Sequence, residues 1–216
     1  MTTRLQHPIL HGPAGALEGA LHEREAGAHG IAALVLHPHP MYGGTLHNKV
    51  VHRAASTLHD LGAEVLRINF RGVGKSEGVF DDGDGELEDA RAALGWLRQR
   101  YPGSRVWLAG FSFGSWIAAR LTAVEPDLER VILIAPPVTR MGFDVLETSR
   151  LPKLVIQGTA DTICLPADLE RAYPRWAEPK QLQWIADASH FFDRQLTTLG
   201  DVLARTLSPL TSGNAA

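Results

Sequence analysis

The chain has 216 residues, of which 44% are hydrophobic, and it carries a formal net charge of -3. This length and composition predict one globular domain with a large core, and they exclude a fibrous repeat or an extended disordered chain. Because acidic and basic residues are mixed along the chain, we expect no basic face that would neutralise a phosphate backbone. Nucleic acid is therefore not an expected partner.

The cysteine content and the N-terminus indicate the compartment. A single cysteine, Cys164, excludes an internal disulfide framework. Residues 1–7 lack the apolar core of a secretory signal, and no apolar run approaches the roughly 20 residues that cross a bilayer. We expect a cytoplasmic protein with no membrane partner, built as a single domain over residues 1–210 and followed by a small, polar, disordered tail over 211–216.

Strands and helices alternate along most of the chain. Short alternating segments predict an antiparallel edge hairpin with arms at 5–10 and 17–21. The continuous apolar run Ile31–Leu36 is typical of a central strand covered on both faces. The further predicted strands are 63–70, 105–109, 130–135, 154–157 and 181–185, and the predicted helices are 45–61, 84–101, 113–124, 166–176 and 191–207. This order predicts an α/β fold whose sheet is mostly parallel, with right-handed crossovers.

The strand over 105–109 leads into a Gly-x-Ser-x-Gly pattern formed by Gly110, Ser112 and Gly114. This pattern is typical of a nucleophile elbow, in which a strand turns sharply into a helix and lifts a strained serine to its tip. The two glycines let the flanking backbone pass without Cβ clashes. Ser112 is therefore the candidate nucleophile.

A serine hydroxyl becomes a good nucleophile at neutral pH when a histidine, held by a carboxylate, takes its proton. Asp161 and His190 each follow the carboxyl end of a predicted strand, in the chain order serine, acid, histidine. Because the carboxyl ends of parallel strands meet at one edge of the sheet, Ser112, Asp161 and His190 should converge there. The sequence predicts a catalytic triad from these three residues.

Five segments of the chain resemble the α/β-hydrolases, in particular the small lidless bacterial hydrolases related to dienelactone hydrolases. The segments are 37–44, 69–78, 110–114, 157–161 and 188–192. The resemblance implies an α/β-hydrolase fold, with a mostly parallel central sheet, helices on both faces, an N-terminal antiparallel edge hairpin and no lid domain. Dienelactone hydrolases proper use cysteine where this chain has Ser112, so their substrate is not carried over. Cys164 lies outside any elbow and is not expected to replace the serine.

Acyl transfer also requires N–H donors for the developing oxyanion. The elbow supplies the N–H of Phe113, and in such folds the second donor lies in the loop after the third strand. Pro38 and Pro40 have no N–H in this loop, which leaves His39 and Met41. The resemblance favours the backbone N–H of His39 as the second oxyanion donor, and the N–H of Met41 is the alternative.

Three other aspartates compete with Asp161 for the role of the acid. Asp168 is expected in the first turn of a helix and Asp187 in the loop beside His190, while Asp144 lies in the connector where some α/β-hydrolases place their acid.

The substrate pocket is expected to include aromatic and sulfur-containing side chains near the site. Met141 and Phe143 lie in the connector over 138–151 and not on a periodic stripe, which favours a pocket position. The full expected set is Tyr42, Met141, Phe143 and Phe191. The connector is too short for an inserted lid, so we expect a cleft that is open to solvent.

Other motifs point to no cofactor and no metal. The segment 72–76 imitates the end of a phosphate-binding loop, but Asn69 stands where that pattern requires its first glycine. Among the histidines over 37–59, His37 and His39 are separated by a rigid proline, and His47 and His52, five residues apart, do not share a helix face. The acidic run over 81–86 does not match a calcium loop.

The sequence as a whole predicts a serine hydrolase that cleaves a small-molecule ester or thioester through an acyl-enzyme on Ser112. Two alternatives stay open: a hydrolase-fold module that binds a ligand without turnover, and a peptidase that uses the same triad. The exposed edge over 4–22 also allows a homodimer.

Overall fold

The computed structural model describes residues 3–24 and 30–211. The strands are β1 (Thr3–Gln6), β2 (Ile9–Gly12), β3 (Gly15–Arg24), β4 (Ile31–Leu36), β5 (Glu64–Ile68), β6 (Arg105–Phe111), β7 (Leu128–Ile134), β8 (Lys153–Gly158) and β9 (Lys180–Ile185). The α-helices are α1 (Lys49–Asp60), α2 (Asp84–Arg100), α3 (Phe113–Leu121), α4 (Pro166–Ala172) and α5 (Leu196–Thr211).

The strands form one sheet in the order β1-β3-β5-β4-β6-β7-β8-β9, and β2 also pairs with β3. The strands from β4 to β9 pair in parallel. At the N-terminal edge, β1 and β2 are antiparallel to β3, which is itself antiparallel to β5. The prediction of a mostly parallel sheet with an antiparallel edge is thereby confirmed.

Strand β4 shows why its sequence is apolar throughout. Every second residue from Ala32 packs into the core formed with α2 and α3, and every second residue from Ile31 packs into the core formed with α1 and α5. A strand that is covered on both faces has no solvent side on which polar residues would alternate. Helices on both faces of the sheet, as predicted, leave the carboxyl ends of the parallel strands as the open edge.

Several helix boundaries differ from the predicted ones for local reasons. Helix α1 begins at residue 49 and not at 45, because the Asn48 side chain accepts the Val50 N–H at 2.9 Å and caps the helix. Helix α5 begins at residue 196 and not at 191. Phe192 and Arg194 have φ angles of 51° and 61°, which a right-handed helix cannot contain.

The connector between β7 and β8 holds one short 3-10 helix, Asp144–Glu147, and no inserted domain. The predicted tail begins with Thr211, which is the last residue of α5, and residues 212–216 lie outside the described residues. Across 3–24 and 30–211, no helix combines the length and the apolar character that crossing a bilayer requires.

Candidate active site

Ser112 sits at the turn between β6 and α3 with φ 52° and ψ -117°, a conformation that side-chain-bearing residues rarely adopt. Its N–H donates to the carbonyl of Ile134 at 2.9 Å, which anchors the turn to β7. A Cβ on Gly110 would collide with the carbonyl of Gly114, and a Cβ on Gly114 would crowd the carbonyl of Leu36. The local sequence therefore permits a turn that most residues at these positions would block.

Ser112, His190 and Asp161 form a continuous hydrogen-bonded chain. The Nε2 atom of His190 lies 3.2 Å from the Ser112 Oγ atom, and its Nδ1 atom lies 2.8 Å from Asp161 Oδ2. Because an ionised carboxylate can only accept, Nδ1 carries the proton in this arrangement and Nε2 faces the serine as an acceptor. The structure thus brings the three predicted residues together, with His190 set to receive the Ser112 proton.

Asp161 is held by four hydrogen bonds. Its Oδ1 atom accepts the backbone N–H groups of Ile163 and Cys164, each at 2.8 Å, and Oδ2 accepts Gln157 Nε2 at 2.9 Å as well as His190. Burial acts to raise the pKa of Asp161, which is 2% exposed, but the interaction with His190 and the hydrogen bonds from the N–H groups of Cys164 and Ile163 lower it on balance. Asp161 is therefore a fixed carboxylate anion beneath the histidine.

The loops after β8 and β9 are tied together, which sets the distance between Asp161 and His190. The Thr159 N–H donates to the carbonyl of Ile185 at 3.0 Å, and the Ala160 N–H donates to the carbonyl of Ala188 at 3.1 Å. These backbone bonds hold the acid and the base in register before any substrate binds.

The N–H groups of His39 and Phe113 are the two donors expected for an oxyanion. Within the described part of the chain, neither of these N–H groups donates to a protein acceptor. The imidazole of His39 packs against the Phe113 ring with centroids 4.9 Å apart, which places the loop after β4 beside the elbow. The N–H of Met41, the alternative oxyanion donor, is already occupied, because it donates to His39 Nδ1 at 3.2 Å. Met41 also lines a separate cavity.

His37 orients the loop after β4 through two hydrogen bonds. The sequence analysis did not identify it as a site residue. Its Nδ1 atom donates to the Pro38 carbonyl at 2.6 Å, and its Nε2 atom accepts the Phe70 N–H at 3.0 Å. Complete burial lowers the pKa of His37 to about 4, so the ring is neutral and can donate and accept at once. The Pro38 carbonyl and the His39 N–H belong to one planar trans peptide and point in opposite directions, so His37 fixes the direction of the candidate donor.

A cavity of about 370 Å³ opens above Ser112 and His190. Its walls include Tyr42, Asn48, Arg140, Ile163 and Phe191. Tyr42 and Phe191 are two of the predicted pocket residues, and Tyr42 is 86% exposed at the rim. A small ester fits such a volume.

The other two predicted pocket residues lie elsewhere. Met141 and Phe143 line a neighbouring cavity of about 310 Å³, not the one above Ser112. Phe143 is 4% exposed and stacks on Trp176 with ring centroids 5.8 Å apart, so it fills the core beneath the connector. Packing against Trp176 holds this side chain in the neighbouring cavity instead of the one above Ser112.

Cys164 is closer to the site than its sequence position suggests. Its thiol interacts with the Ser112 side chain, and burial raises its pKa to about 12. Ligand atoms of Asp161, Cys164 and His190 lie within 4.8 Å of one another, the spacing of a metal cluster. A protonated thiol and a carboxylate whose oxygens already accept four hydrogen bonds are poor ligands, so the cluster fits proton relay better than cation binding.

The competing aspartates are engaged away from His190. Asp168 accepts the Thr139 hydroxyl at 3.0 Å and pairs with Arg171. Asp144 lines the neighbouring cavity, and Asp187 is exposed at the start of the His190 loop.

The sequence analysis did not assign four residues that help to form the site, namely Gln157, Cys164, Arg140 and Asn48. The polar Gln157 directly after the apolar residues 154–156 of β8 was the one signal that would have found any of them.

Comparisons with known proteins identify the family of the chain. Residues 33–143 match the family model described as "Serine aminopeptidase, S33". Protein RP471 of Rickettsia prowazekii is 41% identical over 192 residues, which cover 85% of this chain and 80% of the relative.

Two solved structures share the fold over nearly their whole length. An α/β serine hydrolase homologue from Coxiella burnetii is 36% identical with a TM-score of 0.90, and the match covers 96% of this chain and 99% of that one. XC6422 from Xanthomonas campestris, described as a serine hydrolase without a lid, is 37% identical with a TM-score of 0.91, covering 100% and 99%. The relation to dienelactone hydrolases stays a prediction. The chain belongs to the family of serine hydrolases whose model is described as "Serine aminopeptidase, S33", within the α/β-hydrolase superfamily.

Proposed function

We propose that the protein cleaves a carboxylic ester or thioester of a small molecule through an acyl-enzyme on Ser112. The observation that carries the proposal is the unbroken chain of hydrogen bonds from Ser112 through His190 to Asp161 beneath an accessible cavity. Each member of the chain is in the state its role requires: a serine facing an acceptor nitrogen, a histidine with its other nitrogen protonated, and an ionised carboxylate.

In the first half-reaction, Ser112 Oγ attacks the substrate carbonyl carbon while His190 Nε2 takes the hydroxyl proton. The imidazolium that forms is stabilised by Asp161, which keeps its negative charge. When the tetrahedral intermediate collapses, the bond to the alcohol or thiol breaks, and His190 returns the proton to that leaving group. The acyl group stays on Ser112.

Negative charge develops on the carbonyl oxygen during this step. The N–H groups of His39 and Phe113 are the proposed donors to it, because neither has an acceptor among the described residues and both lie beside the nucleophile. Donors fixed in advance stabilise the transition state without reorganising, and each is worth about 10²–10³ in turnover.

In the second half-reaction, water replaces the alcohol. His190 Nε2 takes a proton from the water, whose oxygen attacks the acyl carbon, and the proton then passes to Ser112 Oγ as the acid leaves. The cavity above Ser112 is open to solvent, which gives water access to the acyl-enzyme. An accessible cavity also favours turnover over the alternative of a binding module with a blocked nucleophile.

The compartment and the assembly are part of the proposal. A single buried free thiol fits a reducing cytoplasm. The N-terminal strands at the sheet edge offer a surface on which two copies could pair, and this homodimer stays a prediction.

The proposal is tested with 4-nitrophenyl acetate and the matched 4-nitroacetanilide. We expect turnover of the ester by the wild-type protein, loss of that turnover in Ser112→Ala, and much slower cleavage of the anilide. Equal or faster cleavage of the anilide would favour the peptidase alternative. No turnover of either compound by folded protein would contradict hydrolysis by this site.

A further inference from the structure

Arg140 lies in the wall of the cavity above the nucleophile. It lines this cavity together with Ser112 and His190, and it also lines the neighbouring cavity beneath the connector. Its charge reaches the reacting groups. Burial and the charge of Asp161 raise the pKa of Cys164, whose thiol interacts with Ser112, and the Arg140 guanidinium acts to lower it. A substrate bound at Ser112 would therefore lie within the field of Arg140.

Among the described residues, the Arg140 side chain has no ionic partner, unlike Arg171 and Arg175 nearby. Arg171 pairs with Asp168, and Arg175 pairs with Glu147 at 3.1 Å. Among residues 3–24 and 30–211, no carboxylate lies within ion-pair distance of Arg140, and its side chain donates no hydrogen bond. An exposed guanidinium facing a cavity with its five N–H donors unused is available to a ligand.

The backbone that carries Arg140 is fixed. The N–H groups of Arg140 and Met141 both donate to the Pro137 carbonyl, at 3.0 and 3.1 Å. The Thr139 hydroxyl donates to Asp168 Oδ2 at 3.0 Å and ties the segment to α4. The guanidinium is thus presented from an anchored turn, which lowers the ordering cost of binding.

The rest of the cavity also favours negative charge. No carboxylate of residues 3–24 or 30–211 lines it, since Asp161 is buried beneath His190 and Asp193 is paired with Lys49 outside the wall. The helices α1 and α3 both begin at this edge of the sheet, and the positive ends of their dipoles add to the field of Arg140. The apolar side chains of Ile163 and Phe191 form part of the remaining wall.

We propose that Arg140 binds an anionic group of the substrate, so that the preferred substrates are esters or thioesters that carry a carboxylate or a phosphate monoester. This inference rests on the proposed function and adds the substrate class to it. A guanidinium presents a planar fork that matches the oxygens of either group, and such charge-assisted pairs are stronger than neutral hydrogen bonds. Arg140 is then the specificity-determining residue of the cavity.

Matched pairs of esters that differ in one charge test the proposal. On the leaving-group side these are 4-acetoxybenzoate against its methyl ester, and 4-acetoxyphenyl phosphate against 4-acetoxyanisole. On the acyl side the pair is mono-4-nitrophenyl adipate against 4-nitrophenyl hexanoate. For each pair, the quantity read is the ratio of kcat/KM for the anionic ester to kcat/KM for the neutral one, and the pairs tell carboxylate from phosphate.

We expect Arg140→Gln to lower this ratio roughly tenfold to a hundredfold in at least one pair. Arg140→Glu should lower it further, because it replaces attraction by repulsion, and Arg140→Lys should retain part of it. Arg175→Gln is the matched control, since it removes the same charge from an arginine that is paired with Glu147 and lies outside the Ser112 cavity. The control should keep the wild-type ratio.

Two results would overturn the inference: unchanged ratios in Arg140→Gln for all pairs, or an equal fall in Arg175→Gln, which would indicate a general charge effect. Thermal melting of each variant separates these outcomes from misfolding. If Arg140→Gln does not fold, the ratio of kcat/KM values is compared between the wild-type protein and Arg140→Lys instead. If wild-type protein cleaves none of the esters, the proposed function fails and the inference fails with it. Cleavage of neutral esters without any role for Arg140 would refute the inference alone.

Discussion

The Nδ1 atom of His37 lies 2.6 Å from the carbonyl oxygen of Pro38, and this contact fixes the peptide unit whose other end is the His39 N–H. The second ring nitrogen accepts the Phe70 N–H at 3.0 Å, so the imidazole links the loop after β4 to the end of β5. A completely buried histidine that touches no substrate thereby controls the direction of a proposed oxyanion donor.

We predict that His37→Phe lowers kcat by up to about 10²-fold with a much smaller change in KM, because a misdirected donor is lost in the transition state more than in the ground state. His37→Gln keeps one donor and one acceptor and should recover much of the rate. Ester kinetics and thermal melting of both variants check this. Equal losses of kcat in the two variants, at equal stability, would contradict a positioning role.

Acid should destabilise the fold through the same residue. Burial lowers the folded-state pKa of His37 to about 4, whereas an unfolded histidine titrates near 6.5. The unfolded state therefore binds more protons between these values, and stability falls as the pH drops through this window. Between about pH 7 and pH 5 the loss from this group is about 2 kcal/mol.

Urea unfolding at the two pH values measures this loss. His37→Gln should show a smaller fall in the free energy of unfolding than the wild-type protein does. His22, whose pKa is also lowered to about 4 by burial and the charge of Arg67, contributes in the same direction in both proteins. An identical pH dependence of the two proteins would show that His37 does not titrate on unfolding.

Removal of the charge on the proposed acid should disable the relay. We predict that Asp161→Asn lowers kcat by about 10⁴, since an amide at that position favours the wrong tautomer of His190. The matched control is Asp187→Asn, which lies near His190 in sequence, is exposed, and keeps a φ of 55° that asparagine tolerates. Ester kinetics compare the two, and a loss in the control as large as that in Asp161→Asn would refute the assignment.

Cys164 should be inert in the native protein although it lies close to Asp161 and His190. It is 4% exposed, and burial raises its pKa to about 12, so the thiol stays protonated at neutral pH. We expect iodoacetamide at about pH 8 to leave the native protein unmodified and to label the same thiol once urea unfolds the chain. Mass spectrometry reads the result directly, because the sequence contains one cysteine. Rapid labelling of native protein would show that the thiolate is accessible.

Much of the fold was predictable because the determining signals are local. The apolar run of β4 and the glycines around Ser112 fix a central strand and a sharp turn without reference to distant residues. The start of α5 was not predictable. The positive φ angles of Phe192 and Arg194 are imposed by the loop that carries His190, and an apolar periodic pattern does not reveal them.

The candidate site also has a part that could be predicted from the sequence and a part that could not. Chain order and strand ends were sufficient to find Ser112, Asp161 and His190, because parallel strands bring their carboxyl ends together. The pocket walls depend on which way side chains pack, and for that reason Phe143 lies on Trp176 while Arg140 faces the cavity. Tertiary packing of this kind leaves no signal in the spacing of the residues.

The identity of the nucleophile is measured most directly by mass spectrometry after treatment with a fluorophosphonate probe. We predict a single adduct on Ser112 in the wild-type protein and no adduct in folded Ser112→Ala. Undiminished labelling of that variant, or an adduct on another residue of the wild-type protein, would contradict it.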